Sequence, residues 1–210
     1  MRVFVYSTGA DTGGQGYRIA QGFKRYAPDW TLDALNGNKS KLGYPEQHDL
    51  SLSLRKQAAR GFYQAADVVH LRNHLAGWEA FDNGQGKPVV LHHHGTMFRR
   101  KHVIIHRYCQ KIGVTELAAT LDLTLLGHAI QWMPSPYDLD ELATIRRKGF
   151  VPNPDRIRIG HFPTDAKVKS TEQFDAAVSS LKAKGYPIEY IHRDNREGYK
   201  AGYEQAYGRR

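Results

Sequence analysis

Short runs of branched apolar residues, separated by stretches of helical period, limit the fold of this chain more than any other feature. They are RVFVYS (2–7), TLDAL (31–35), DVVHL (67–71), PVVLH (88–92) and LDLTLLG (121–127). Strands this apolar need cover on both faces, and helices in the intervals supply it. The pattern therefore predicts an α/β domain with a Rossmann-type parallel sheet. After the first run, Ile19, Ala20, Phe23 and Ala27 share one face of a helix and leave Arg18, Lys24 and Arg25 outward. SLSLRKQAARGFYQAA and KHVIIHRYCQKIG read as two further helices.

The texture changes near residue 133. MPSPYDLDELATIRRKGFVPNPDR holds four prolines, as expected of a connection (134–155) that contains a short helix. Ser135 is placed to cap that helix, with Pro136 at its first position and Asp138 at its third. Alternation then resumes with RIRIGHF (156–162), a helix from about Thr171 to Lys184, PIEYIH (187–192) and a helix near 195–207. The expected organisation is an amino-terminal domain over 1–133 and a partial carboxyl-terminal α/β domain over 156–210. Two strand–helix units alone hardly cover both faces of a parallel sheet, so this part either leans on the first domain or belongs to a longer chain.

Of the 210 residues, 40% are hydrophobic and 24% charged, the balance of a globular protein. No apolar run reaches the roughly 18–20 residues of a membrane span, and MRVFVYSTGA lacks the pattern of an export signal, so a cytoplasmic protein is expected. The single cysteine, Cys109, has no partner for an internal disulfide and reads as an inert thiol. A net charge of +9 draws polyanions and phosphorylated ligands by its long-range field. The basic residues are scattered, as in FRRKH, IRRKG, AKVKS and YGRR, which does not by itself name a partner.

Three places carry residues suited to chemistry. In STGADTGGQGYRIAQGF, Gly13, Gly14 and Gly16 lead into the first helix. There glycines permit positive φ and close approach, and the helix start offers unpaired amides to phosphate or carboxylate. The spacing matches neither the dinucleotide fingerprint nor the ATP-type phosphate loop. The second place is His92, His93 and His94, at the end of a strand and so in the crevice that open parallel sheets form at their carboxyl edge. Successive strand residues point apart, so the three do not suit one metal ion. His102 and His106 have the i, i+4 spacing of a zinc pair but lack an evident third ligand. A crevice histidine instead hydrogen-bonds an anionic ligand or exchanges protons near neutral pH, and His94, beside Gly95, is the best placed of the three. The third place is RIGHFPTDAKVKSTEQF. It sets His161 at a strand end, Pro163, Thr164, Lys167 and Lys169 in a loop, and Ser170 with Gln173 as a capping box. Two anion sites in two α/β units suggest one ligand held in a cleft.

The order of TGGQGYRIAQGF, ADVVHLRN, KPVVLHHHGT, ATLDLTLLG, WMPSPYDLDEL and RIRIGHFPTDAKVKSTEQFDAAVSSL resembles that of the GT-B glycosyltransferases of the family-4 type, over nearly the whole chain. Enzymes of that type use nucleotide sugars and retain anomeric configuration. By resemblance, Gly14 and Gly16 belong to the loop that approaches the donor diphosphate and the acceptor. His94 matches the histidine that contacts the transferred sugar. Lys169 matches the lysine that neutralises donor phosphate, assisted by Lys167 and by His161. The family usually has arginine where His161 stands and glycine where Ser170 stands. It also continues to a paired-glutamate motif that binds the donor, which residues 1–210 do not reach.

The resemblance thus implies a transferase of GT-B type whose donor is a nucleotide sugar. No metal or further cofactor is needed, because stabilising the charge on the departing diphosphate is the main catalytic contribution. Gln15, Arg72 and Asn73 are the candidates for acceptor binding. Nucleic acid is one conceivable acceptor, as in viral enzymes that glycosylate DNA bases, although no base-reading motif accompanies it. Two readings of other classes stand beside it: a truncated or non-catalytic module that binds a ligand or another chain, and a zinc-dependent hydrolase using His92–His94.

Overall fold

The computed structural model describes residues 1–9, 14–38, 47, 48, 50–75, 86–137, 139, 140, 143, 144, 155–163, 166, 167 and 169–192, apart from the side chains of Leu52 and Thr96. Gly13, Asp138, Thr164 and the expected helix near 195–207 lie outside the described residues. The chain divides into two compact units, 1–137 and 138–210.

The first unit is a six-stranded sheet in the order β2-β1-β3-β4-β5-β6 with every neighbouring pair parallel. Its strands are β1 (Arg2–Ser7), β2 (Thr31–Asn36), β3 (Val68–Arg72), β4 (Val89–His93), β5 (Thr115–Ala118) and β6 (Gln131–Trp132). The helices are α1 (Gln15–Tyr26), α2 (Leu52–Ala65) and α3 (Thr96–Ile112). This is the expected Rossmann-like α/β construction.

Alternation along the strands decides what each helix covers. Val3 and Val5 of β1 pack with Ile19 and Phe23 of α1 on one face. Phe4, Leu35, Val69, Leu71 and Leu91 point to the other face, where Ala59 and Tyr63 of α2 and Cys109 of α3 close over them. Burial of this kind is worth about 25 cal/mol per Å² of apolar surface, which explains why these side chains set the strand register. On the α1 face the same alternation ends in polar residues. Ser7 pairs with Asn36 across β1 and β2, and Arg72 pairs with His92 across β3 and β4. All four are buried.

Two expectations for this unit fail. LDLTLLG is not a strand: Leu121–Leu126 is a 3-10 helix, and the strand in this part of the sheet is β5, TELA. In a 3-10 helix the inward side recurs every three residues. Accordingly Leu123 is fully buried and Leu126 packs on the same cluster, whereas Leu121 and Leu125 are 58% and 79% exposed. Nor does Ser135 cap a helix with Pro136 at its first position, since Pro136 and Tyr137 are irregular and the helical residues described beyond them are 139, 140, 143 and 144. The third helix also starts earlier than its apolar period indicates, at Thr96 directly after Gly95, and is kinked at Lys101 (φ −130°, ψ 16°).

The second unit contains a β-α-β element: β7 (Ile157–His161), α4 (Thr171–Ala183) and β8 (Ile188–His192), with β7 and β8 parallel and in register from Ile157–Ile188 to His161–His192. Val178 is the buried apolar contact of α4.

The carboxyl ends of β1 and β2 meet closely at Gly37, whose amide donates to Ser7 O at 2.7 Å. A Cβ on Gly37 would stand 2.3 Å from the carbonyl oxygen of Thr8, a backbone atom that cannot step aside. Gly37→Ala is therefore expected to destabilise the first unit by about 2–3 kcal/mol, the usual cost of forced overpacking. Urea denaturation of the variant checks this, and an unchanged midpoint would contradict the close approach.

Candidate functional site

In a parallel sheet the connection from β1 runs to one side, through α1 to β2, and the next strand, β3, lies on the other side of β1. The crevice at such a reversal, outside the carboxyl ends of the strands, is where open α/β sheets bind ligands. Gly14 opens it in the left-handed conformation (φ 65°, ψ 20°), and its carbonyl accepts from Arg18 N at 2.9 Å, so α1 begins at Gln15 with its first amides facing the crevice edge.

Gly16 is buried one turn-step further on, and the reason it is glycine is Arg72. A Cβ there would lie 2.9 Å from the guanidinium carbon and 3.0–3.1 Å from both terminal nitrogens. Arg72, only 4% exposed, donates through Nη2 to Asn36 Oδ1. A second buried arginine, Arg55 of α2, donates to the carbonyl of the same asparagine at 2.8 Å and to Leu50 O at 3.0 Å. A helix start, an arginine laid against it and the arginine behind Asn36 together place positive potential at the carboxyl edge of β2, β1 and β3.

The three consecutive histidines separate as strand geometry requires. His92 shares the α1 face with Arg72, and its Nε2 donates to Met133 O at 2.8 Å. His94 leaves the strand on the same side, with its ring 4.3 Å from that of His92, while His70 of β3 lies 5.4 Å from His92. The His94 backbone is latched by Asn73, which takes a left-handed conformation (φ 64°) and accepts the His94 amide on Oδ1 at 2.8 Å. Among the described residues neither ring nitrogen of His94 has a hydrogen-bond partner, although both are buried.

Burial pushes all three rings down in pKa, His94 to about 2, His92 to about 4 and His70 to about 3. Repulsion from Arg72 adds to the effect in each case, joined by His92 at His70, by His93 at His92 and by His92, His70 and His93 at His94, while the bond to Met133 O opposes it at His92. They are neutral at physiological pH. A neutral His94 ring has one donor and one acceptor nitrogen to offer in hydrogen bonds.

His93 points to the opposite face, stacked on Phe98 at 3.8 Å, and its Nε2 donates to Glu116 Oε1 at 2.8 Å. His106 donates to the other oxygen, Oε2, at 2.5 Å. Burial alone would raise the Glu116 carboxyl, but these two hydrogen bonds hold it below the ordinary carboxylate range. His128 stacks on His106 at 4.1 Å and meets His102 through a 2.8 Å N–N hydrogen bond. Cys109, beside this group, is buried, its thiol pushed up to about 12 by desolvation and by Glu116, as an inert thiol should be. Among the described residues no three His, Cys, Asp or Glu side chains are placed to hold one metal ion.

In the second unit, His161 ends β7 and its Nε2 lies 2.9 Å from Thr171 Oγ1 at the start of α4, with Phe174 stacked 4.5 Å from the ring. Lys167 and Lys169 are exposed in the turn that enters α4. The expected capping box is not formed. Ser170 is at the N-cap but in the left-handed conformation (φ 51°, ψ 43°), which turns its hydroxyl away from capping, and the turn is closed by backbone bonds from Thr171 N to Ala166 O (3.0 Å) and from Phe174 N to Ser170 O (3.0 Å).

The structure thus brings Gly14, Gln15, Gly16, Arg72, Asn73 and His94 to one edge of the first unit, and His161, Lys167 and Lys169 to one end of the β-α-β element. Sequence reasoning missed Ser7, Asn36, Arg55 and His70. The signal for three of them was a polar residue at an apolar strand position, recurring on one face of neighbouring strands. Nothing local marks Arg55, which sits in an ordinary helical stretch.

No protein-family model matches the chain, and no curated protein and no solved structure is significantly similar to it.

Proposed function

We propose that this chain is a glycosyltransferase of GT-B type that moves a sugar from a nucleotide-sugar donor to an acceptor, with retention. The observation that carries the reading is the crevice where the start of α1, bare of side chains at Gly14 and Gly16, lies against the buried guanidinium of Arg72 beside a neutral His94 whose ring nitrogens have no hydrogen-bond partner among the described residues. Helix-start amides and an arginine suit a diphosphate, whose charge grows as the sugar departs; such groups lower the barrier because they are oriented beforehand. A neutral imidazole offers one donor and one acceptor, the pair of functions a sugar hydroxyl presents in return. Lys169 is assigned to donor phosphate, with Lys167 and His161 assisting. Ser170 holds the left-handed backbone that glycine takes without strain, at the position where the resembled family has glycine.

A module that binds nucleotide without turnover is the second reading, favoured by the burial that holds His94 neutral. Titration calorimetry with uridine and guanosine diphosphates, followed by a donor-hydrolysis assay, separates the two. Binding with hydrolysis supports the transferase, and binding without it supports the module. Absence of binding by either nucleotide overturns both. Lys169→Ala is expected to weaken diphosphate binding roughly tenfold, the worth of one charge-assisted hydrogen bond, with an unchanged melting curve.

A further inference from the structure

The helix α3 presents a basic and aliphatic surface to solvent. Its seventeen residues, TMFRRKHVIIHRYCQKI, include five Arg or Lys and neither Asp nor Glu. Past the kink at Lys101 the exposed positions are Val103, Ile104, Arg107, Tyr108, Gln110, Lys111 and Ile112, which make up the outer half of the helix. The opposite face, with Ile105, His106 and Cys109, turns inward. Ile104 is 72% exposed in the middle of a helix, with Val103 at 42%. Arg99, on the flank, is paired with Asp122, while Arg100, Lys101, Arg107 and Lys111 are exposed to solvent.

From this juxtaposition we infer that α3 docks the protein on the surface of an anionic lipid bilayer, lying in the plane of the headgroups with the stripe of Ile104, Tyr108 and Ile112 (i, i+4, i+8) toward the acyl boundary and the adjoining Arg107 and Lys111 on lipid phosphates. The charge pattern chooses the sign of the partner. The aliphatic side chains choose its kind, because exposed isoleucine and valine gain from hydrocarbon and gain nothing from the phosphates of a nucleic acid. Tyr108, an aromatic ring with a polar tip, suits the water–lipid boundary. Among the described residues no helix is long and apolar enough to cross a membrane, so the contact is one of surface attachment. The inference does not depend on the reading of the crevice.

The test is co-sedimentation of the full chain with phosphatidylcholine vesicles, with and without phosphatidylglycerol. The expected result is binding only to the vesicles that carry phosphatidylglycerol, lost in high salt. Arg107→Gln with Lys111→Gln should weaken it roughly thirtyfold, since each cation near an anionic surface contributes a factor of about five. Ile104→Ser should weaken it as well, with melting curves unchanged in both variants. Equal binding to both vesicles, or binding to neither, overturns the inference. So does retention on double-stranded DNA that the charge substitutions abolish and Ile104→Ser leaves intact, or self-association that Ile104→Ser removes while vesicle binding is absent.

Discussion

Replacing Arg72 by methionine is expected to weaken binding of a nucleoside diphosphate by about a hundredfold and, in the same protein, to raise the titrations of His70, His92 and His94. Methionine keeps most of the aliphatic bulk and removes the charge. A buried guanidinium bonded to an anion contributes about 1.5–3 kcal/mol, which is ten- to more than a hundredfold in affinity. The histidine arm has a separate cause. Desolvation is the largest reason that the three rings are depressed and it survives the substitution, but repulsion from Arg72 acts on each of them and does not. The rings should therefore move upward without reaching the ordinary value near 6.5. Calorimetry reads the first effect and histidine nuclear magnetic resonance titration the second. Gly16→Ala is the companion variant: its methyl would press on the guanidinium at 2.9 Å and should reproduce the loss of affinity in milder form. Undiminished diphosphate binding in both variants would remove the crevice as an anion site.

Stability should fall steeply in mild acid. His70, His92 and His94 have folded pKa values of about 3, 4 and 2, against about 6.5 in an unfolded chain. The unfolded state thus takes up three protons that the folded state refuses. The sign follows: stability is fully present above about pH 6.5 and is lost as the pH drops from there toward the folded values. Each histidine contributes a slope approaching 1.4 kcal/mol per pH unit, so the loss is on the order of 6 kcal/mol by about pH 5. That is comparable to the entire stability of an ordinary domain. Urea denaturation at successive pH values measures it, and His94→Gln should reduce the slope by about one proton. A flat profile between pH 7 and pH 5 would show that the rings are not held neutral by the fold.

How far the sequence discloses this architecture depends on which force writes the pattern. The first four strands are legible to within a residue or two because their cores, Val3 to Val5, Leu35, Val69 to Leu71 and Val89 to Leu91, are apolar runs buried against helices. The fifth is not. TELA carries Glu116 at its centre, a residue that suits a buried strand only because His93 and His106 reach its carboxylate from β4 and α3, and those partners are 23 and 10 residues away. LDLTLL next to it alternates apolar and polar residues as a strand does, yet folds as a 3-10 helix whose inner side is Leu123 and Leu126. For the site, the glycines and His94 were legible as residues that follow strands, a local property. Asn36 and Arg55 become recognisable only when β2 and α2 close on β3, which is tertiary information. Ser170 resisted reading for a different reason: a serine followed three residues later by glutamine is the usual sign of a cap, and only the backbone angle shows that the hydroxyl does not cap.

The division of His92 and His94 from His93 has a consequence for how this segment can change. Neighbours on β4 serve opposite compartments of the molecule, one beside the buried Arg72 guanidinium, the other a closed carboxylate knot. Losing or gaining a single residue upstream would swap the tenants of both at once, whereas exchanging one side chain disturbs only its own. The stretch can be edited letter by letter, but its reading frame in space cannot slip.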